Sequence, residues 1–300
     1  MSTTTLENNA RELIRNKATA SYKKRERWSK VYTGFIALAL AIAIVPLASI
    51  INDLLGRGLR FITWGFFTQN VAQPSLMHPQ DVGGIANAIS GSAIIVGLAV
   101  AISVPLAIFL AIAIFEFKNR FMKWVLLIVE IFVGLPSVVF GVFAFVALVL
   151  VSKQFHAYYG SLALCFIMVP VSTVNSVAAL RSVPSTLNEA GLSLGARPSR
   201  VMFRVIFPVA LPRIMTGIFL ALSRTVGETA PVLFVVGNNL FVNWNLNKQA
   251  ATLPGTIWNN LNQGSPYGQL ECWGIALVLI AFVFFFNILG RLFLARAEKK

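Results

Sequence analysis

Charge is scarce in this chain of 300 residues: 12% are Asp, Glu, Lys or Arg, where a soluble domain carries about 25%. That is half of what a water-facing surface needs, and 57% of the residues are hydrophobic, with a mean hydropathy of +0.74. An integral membrane protein is therefore expected, and its spans are helices, because barrel strands alternate polar with apolar residues and do not reach this hydropathy. Cysteine and histidine are nearly absent, with two of each. Cys165 and Cys272 fall in or beside separate apolar segments. They give neither a disulfide framework nor metal-ligand spacing and read as buried thiols. His78 and His156 lie in different outer loops, so no His-centred triad or intramembrane zinc site can be assembled from them. The sequence also lacks G-x-x-x-x-G-K-[ST], the loop that cradles nucleotide phosphates. A chain without a nucleophile–base arrangement or a nucleotide site is expected to be non-catalytic and to bind no cofactor. Any work it does must draw its energy from elsewhere.

What is present is long apolar runs, against a requirement of about 20 residues per crossing. Six candidates follow in order: Val31–Ile51, Gly84–Phe115, Trp124–Ser152, Tyr159–Leu180, Ile214–Val236 and Trp273–Leu289. The first is too long in its apolar core for a signal peptide and lacks a convincing cleavage site, so it reads as an uncleaved span. The second exceeds one bilayer thickness and implies tilt. Pro105, Pro136 and Pro170 are expected to mark bends, since proline removes a helix hydrogen bond.

The basic residues give the orientation. Residues 1–30 contribute eight, the segment after the second span adds Lys118, Arg120 and Lys123, and the segment after the fourth adds Arg181, Arg197, Arg200, Arg204 and Arg213. Arg291, Arg296, Lys299 and Lys300 complete this side, while the other side holds only Arg57, Arg60, Lys153 and Lys248. Both termini are thus expected in the cytoplasm. The net charge of +14 is a topology signal plus attraction to anionic membrane lipid, and no nucleic-acid partner is needed to explain it. Residues 1–30 form a basic tail that admits two readings, a short interfacial helix or a disordered arm. Residues 31–300 form the membrane domain. Its asparagine-rich outer segment, 237–271, is either a partner-facing surface or a set of solvated turns.

The segment 181–213 is too polar to span and carries ordered signals. Thr186 followed three residues later by Glu189 has the form of a capping box, predicting a helix that starts near Thr186 and runs through Ala190. Gly195 suits the left-handed turn that stops a helix, and Pro198 suits the first turn of the next. Glu189-Ala190-Gly191, with Gly195 and then Leu211-Pro212, resembles the EAA loop of ABC-importer permeases. Gly191 stands where that motif has alanine, a small-for-small change. The resemblance implies that Thr186, Glu189, Ala190, Gly191 and Gly195 belong to a short helix that docks on a cytoplasmic ATPase and passes its movement to the membrane.

Charges inside an apolar run cost about 2.5–3.5 kcal/mol each at the bilayer centre. Arg224 and Glu228 lie within the fifth run, four residues apart and so able to pair on one helix face. A structural ion pair is one reading. The other is an anion site, because guanidinium presents a fork of donors matched to phosphate-type oxygens. Ser223-Arg-Thr-Val-Gly-Glu-Thr-Ala-Pro231, together with Gly134-Leu-Pro-Ser-Val-Val-Phe-Gly141, is similar to the PstA-type permeases of phosphate-specific ABC importers, and the likeness runs from the first span to the last. It implies a type I ABC-importer permease fold and a bacterial inner-membrane location. It also implies a heterodimer with a PstC-like permease, a PstB-like ATPase dimer that uses ATP and Mg, and a PstS-like phosphate-binding protein. Arg181, closing the fourth span, either lines the exit path or only anchors the helix. Glu130 would repel phosphate and reads as structural. The expected function is thus a phosphate permease subunit. A permease for sulfate or molybdate and a membrane-embedded phosphate-sensing scaffold are the alternatives.

Overall fold

The computed structural model describes residues 3–72, 83–263 and 265–297; His78 lies outside them. All of its long elements are helices: α1 Thr3–Gly58, α2 Ala86–Glu116, α3 Arg120–Gly134, α4 Ser137–Ser152, α5 Ala157–Arg181, α6 Ser185–Ser193, α7 Pro198–Val226, α8 Leu253–Asn262 and α9 Pro266–Ala297. Residues 1–55 form one compact unit and 56–300 another. In the first unit, α1 runs from the basic tail into the first apolar run without interruption. From Thr3 onward the described part of the tail is helical.

In the second unit, α2 and α5 form the centre. Ile95, Ala99, Ser103, Ala107 and Ala111, at four-residue spacing along α2, are each no more than 1% exposed. That spacing is the ridge along which helices interdigitate, and four of the five side chains are small enough for backbones to approach closely. Gly160 of α5 fits against Ile95, where a Cβ would also meet Val236. Ser161 Oγ donates to the Ile95 carbonyl at 2.9 Å and Cys165 Sγ to that of Ala99 at 3.7 Å. These two buried groups thus find acceptors that lipid could not supply. Both contacts advance by four residues on both helices, so α2 and α5 run parallel.

The parallel pair settles the topology. To enter α5 in the direction of α2, the chain must return across the membrane between them. The only residues available are α3 and α4, bent by 100° at their junction. Counted as one broken crossing, they bring the candidate crossings among the described residues to six. Leu135 (ψ 143°) and Pro136 (φ −60°, ψ 136°) are both extended at the bend, because proline disfavours helical geometry in the residue before it. At Pro105 and Pro170, by contrast, α2 and α5 continue without a break. Packed membrane helices tolerate proline where neighbours satisfy the freed carbonyl.

The fifth span is also shifted. In place of Ile214–Val236 the helix is Pro198–Val226, so the arginine-rich, proline-containing stretch is its beginning and not a loop. A wide π-type turn at Met202–Ile206 precedes Pro208, which has no N–H to return to the Arg204 carbonyl. The far end stops at Gly227, followed by a one-turn helix, Ala230–Leu233.

Ala99→Leu should force α2 and α5 apart, costing about 1–3 kcal/mol, and is expected to lower membrane abundance and the detergent unfolding temperature. Leu106→Ala, on the exposed side of the same helix (53% exposed), should change neither.

Candidate substrate and coupling sites

Arg224 occupies the last turn of α7, where unpaired carbonyls carry partial negative charge and favour a cation. Glu228 follows the helix end, past the Gly227 cap. The two therefore pair across a helix terminus, and not along one helix face as expected from their spacing. Arg224 Nε donates to Glu228 Oε1 at 3.4 Å, with the arginine side chain 51% exposed and the glutamate 14%. Among the described residues this bond uses Nε alone, and neither terminal guanidinium nitrogen has a partner within the chain. The glutamate holds the stem of the fork and leaves its two prongs unpaired among the described residues. At this exposure the pair adds little to stability; its effect is orientation.

The two motif stretches meet beside this turn. A Cβ on Gly141 of α4 would lie 2.8 Å from a Phe234 ring carbon, 2.9 Å from Pro231 Cα and 3.0 Å from the Ala230 carbonyl oxygen. The glycine ending Gly134-Leu-Pro-Ser-Val-Val-Phe-Gly141 thus lets α4 touch the backbone of the Thr-Ala-Pro turn that follows Glu228. The sequence run marks this glycine, but nothing in it names the partner.

At the other end of α7, α6 is the short helix expected in 181–213. Its start differs from the capping-box reading: Pro184 holds the cap position (φ −56°, ψ 134°) and no side chain caps the helix. Proline geometry places Ser185 in the first turn, which puts Thr186 second and Glu189 fifth, too far along for a reciprocal cap. The stop is as expected. Gly195 has φ +75°, its N–H donates to the Leu192 carbonyl at 2.9 Å, and Ala196 N–H reaches back to Gly191 at 3.3 Å. This pair of bonds is the Schellman closure. A Cβ on Gly191 would meet the Val201 methyls at 2.9 and 3.0 Å, so α6 rests closely on the first turn of α7. Thr186, Glu189 and Ala190 are exposed, beside exposed Leu187, Leu192 and Leu194.

Arg181 ends α5 and lines a cavity that includes Ile206. Ile206 is 18 residues before Arg224, about 27 Å along the helix, so the structure does not bring the two arginines together. Glu130 lies on an exposed face of α3. Sequence reasoning missed Glu271, which is 1% exposed. Its Oε2 accepts from Asn260 at 2.9 Å, while its Oε1 is buried without a partner. It stands at the polar end of the last apolar run, where a carboxylate looks solvated until α8 folds over it. The asparagine-rich segment is ordered: Asn87 Nδ2 donates to the Asn239 carbonyl at 2.8 Å, and Asn239, Asn243 and Asn245 accept from the backbone two residues on.

Residues 103–300 match the family described as the binding-protein-dependent transport system inner membrane component. The chain belongs to that family. Among its relatives, the phosphate transport system permease protein PstA of Xylella fastidiosa (strain Temecula1) is 34% identical to this permease over 280 residues, covering 92% of this chain and 95% of the relative. The phosphate transport system permease protein PstA of Mycobacterium leprae (strain TN) is 30% identical over 281 residues, 92% of each chain. The permease is of this PstA type. Its fold matches a chain in the crystal structure of a bacterial alginate ABC transporter in complex with alginate pentasaccharide-bound periplasmic protein. The TM-score is 0.61 at 18% identity, over 91% of this chain and 98% of that one.

Gly195→Val is expected to cost about 1–2 kcal/mol because a side chain strains the left-handed conformation, whereas Gly195→Asn should be nearly neutral. There is open space around this position, so proteolysis between α6 and α7 should rise in the valine variant alone. Gly141→Val should lower thermal stability by clashing with the Pro231 turn, as a melting curve would show.

Proposed function

We propose that this permease subunit moves inorganic phosphate across the bacterial inner membrane, inward, with both termini in the cytoplasm and α6 as its contact with a separate ATPase. The observation that carries the reading is that one helix, α7, packs against α6 at Val201 and carries Arg224 in its last turn. A displacement of α6 reaches the arginine along about 35 Å of one helix. The names of the relatives support phosphate as cargo. The half-exposed guanidinium of Arg224, bonded only through Nε among the described residues, supports it chemically, since a guanidinium fork binds phosphate oxygens by charge-assisted hydrogen bonds. The bias of Lys and Arg toward the α6 side supports the orientation.

In this mechanism the chain performs no covalent chemistry. A PstS-like protein delivers phosphate on the outer side, and a PstC-like permease completes the passage. A PstB-like ATPase dimer, using ATP and Mg, docks on the exposed leucines and Glu189 of α6. When the ATPase closes, α6 moves and α7 shifts with it. Arg224 then exchanges between Glu228 and the anion, so that phosphate enters a site whose positive charge is otherwise masked.

Arg224→Gln is expected to reduce phosphate uptake at least about tenfold, since a hydrogen bond to a charged group contributes about 1.5–3 kcal/mol, with membrane abundance unchanged. If the Arg224→Gln, Glu228→Gln double variant assembles and transports at the wild-type rate, the pair is only structural and the anion site is wrong. Glu189→Lys should leave the protein in the membrane but remove ATPase co-purification.

A further inference from the structure

Away from Arg224, a cavity of about 340 Å³ opens where α2, α5 and the start of α6 converge. Lys118 and Arg181 line it together with Ser185 and Asn188, and Ile114 and Phe115 contribute an apolar wall. Among the described residues no carboxylate lies within 4 Å of either cation, and none of the four polar side chains hydrogen-bonds within the chain. Both cations are exposed residues on the rim of one cavity; with no carboxylate within 4 Å among the described residues their charges repel, though screened by solvent, and an anion between them relieves that repulsion. The cavity lies at the ends of two spans, α2 and α5, on the side rich in Lys and Arg, which is headgroup depth for a lipid.

We propose that this cavity binds a phosphate-bearing anion attached to an apolar body, the headgroup of an anionic phospholipid. Lys118 and Arg181 hold the phosphate, Ser185 and Asn188 donate to its remaining oxygens, and Ile114 and Phe115 receive the first part of the acyl region. A free phosphate ion shares the headgroup's charge but makes no use of the apolar wall. The bound lipid bridges the ends of α2 and α5 to the first turn of α6, so membrane composition sets how firmly α6 is held. This inference is independent of the cargo and of Arg224.

The test is native mass spectrometry of the full-length permease in mild detergent, titrated with dioleoylphosphatidylglycerol, with dioleoylphosphatidylcholine, or with the former plus millimolar orthophosphate. Wild type is expected to retain a phosphatidylglycerol that the Lys118→Gln, Arg181→Gln variant binds at least about tenfold more weakly. The Arg120→Gln, Lys123→Gln variant, which removes two nearby charges that do not line the cavity, should match wild type. Ser185→Ala with Asn188→Ala, which keeps both charges, should weaken binding several-fold and carries the test if the charge variant fails to fold. Equal retention by wild type and cavity variants would overturn the proposal, as would equal loss in the Arg120, Lys123 control, which would mean surface attraction only. Displacement of the lipid by orthophosphate would overturn it too and return Arg181 to the cargo path.

Discussion

The contact between α2 and α5 is the constraint on which the rest of the architecture depends. In lipid there is little hydrophobic gain in bringing two apolar helices together, so association relies on close packing and on polar groups finding partners. Ile95, Ala99, Ser103, Ala107 and Ala111 supply the first; Ser161 and Cys165, bonding to α2 carbonyls, supply the second. Once these helices are locked in parallel, the connection between them must cross the membrane. The break at Pro136 then places α4 where its Gly141 can reach the turn after Glu228.

The two candidate sites are built from opposite physical materials. Around Arg224 the chain ends a helix within an apolar region and stations a charge on the exposed carbonyls, keeping the glutamate as an internal counter-ion. Around α6 it exposes leucines on a short, uncapped helix that is closed by a Schellman turn and wedged on Val201 through Gly191. The first leaves a charge half-exposed beside its counter-ion. The second packs backbone closely against a side chain. α7 belongs to both, so the two sites share one continuous helix.

Much of this was legible in the sequence, and the failures have identifiable causes. Composition and apolar runs located the crossings, and Gly195 announced its own turn, because those signals are local. The beginning of α7 was misplaced because Arg204, Pro208 and Pro212 look like a loop. Only the wide turn at Met202–Ile206 and packing against α5 let the helix absorb them. The capping box failed at Thr186 because the neighbouring Pro184 dictated the start. Arg224 and Glu228 were found as charges in an apolar run, but their pairing across a helix end depends on where Gly227 terminates α7. Lys118 read as a topology marker because its cavity is assembled from helices more than 60 residues apart in sequence.

The wide turn at Met202–Ile206 has a bearing on a side chain some twenty residues away. A π-type turn accommodates one more residue than a regular turn of α-helix, and each residue advances the helix by about 100°. The azimuth of Arg224 relative to α6 is thus set by a surplus residue near the start of α7. A homologue that lost that residue would keep every side chain of both candidate sites and the same fold, yet aim its guanidinium a quarter-turn or more away. Length in this stretch is a clock setting: identity tells which residues are present, and spacing tells which way they point.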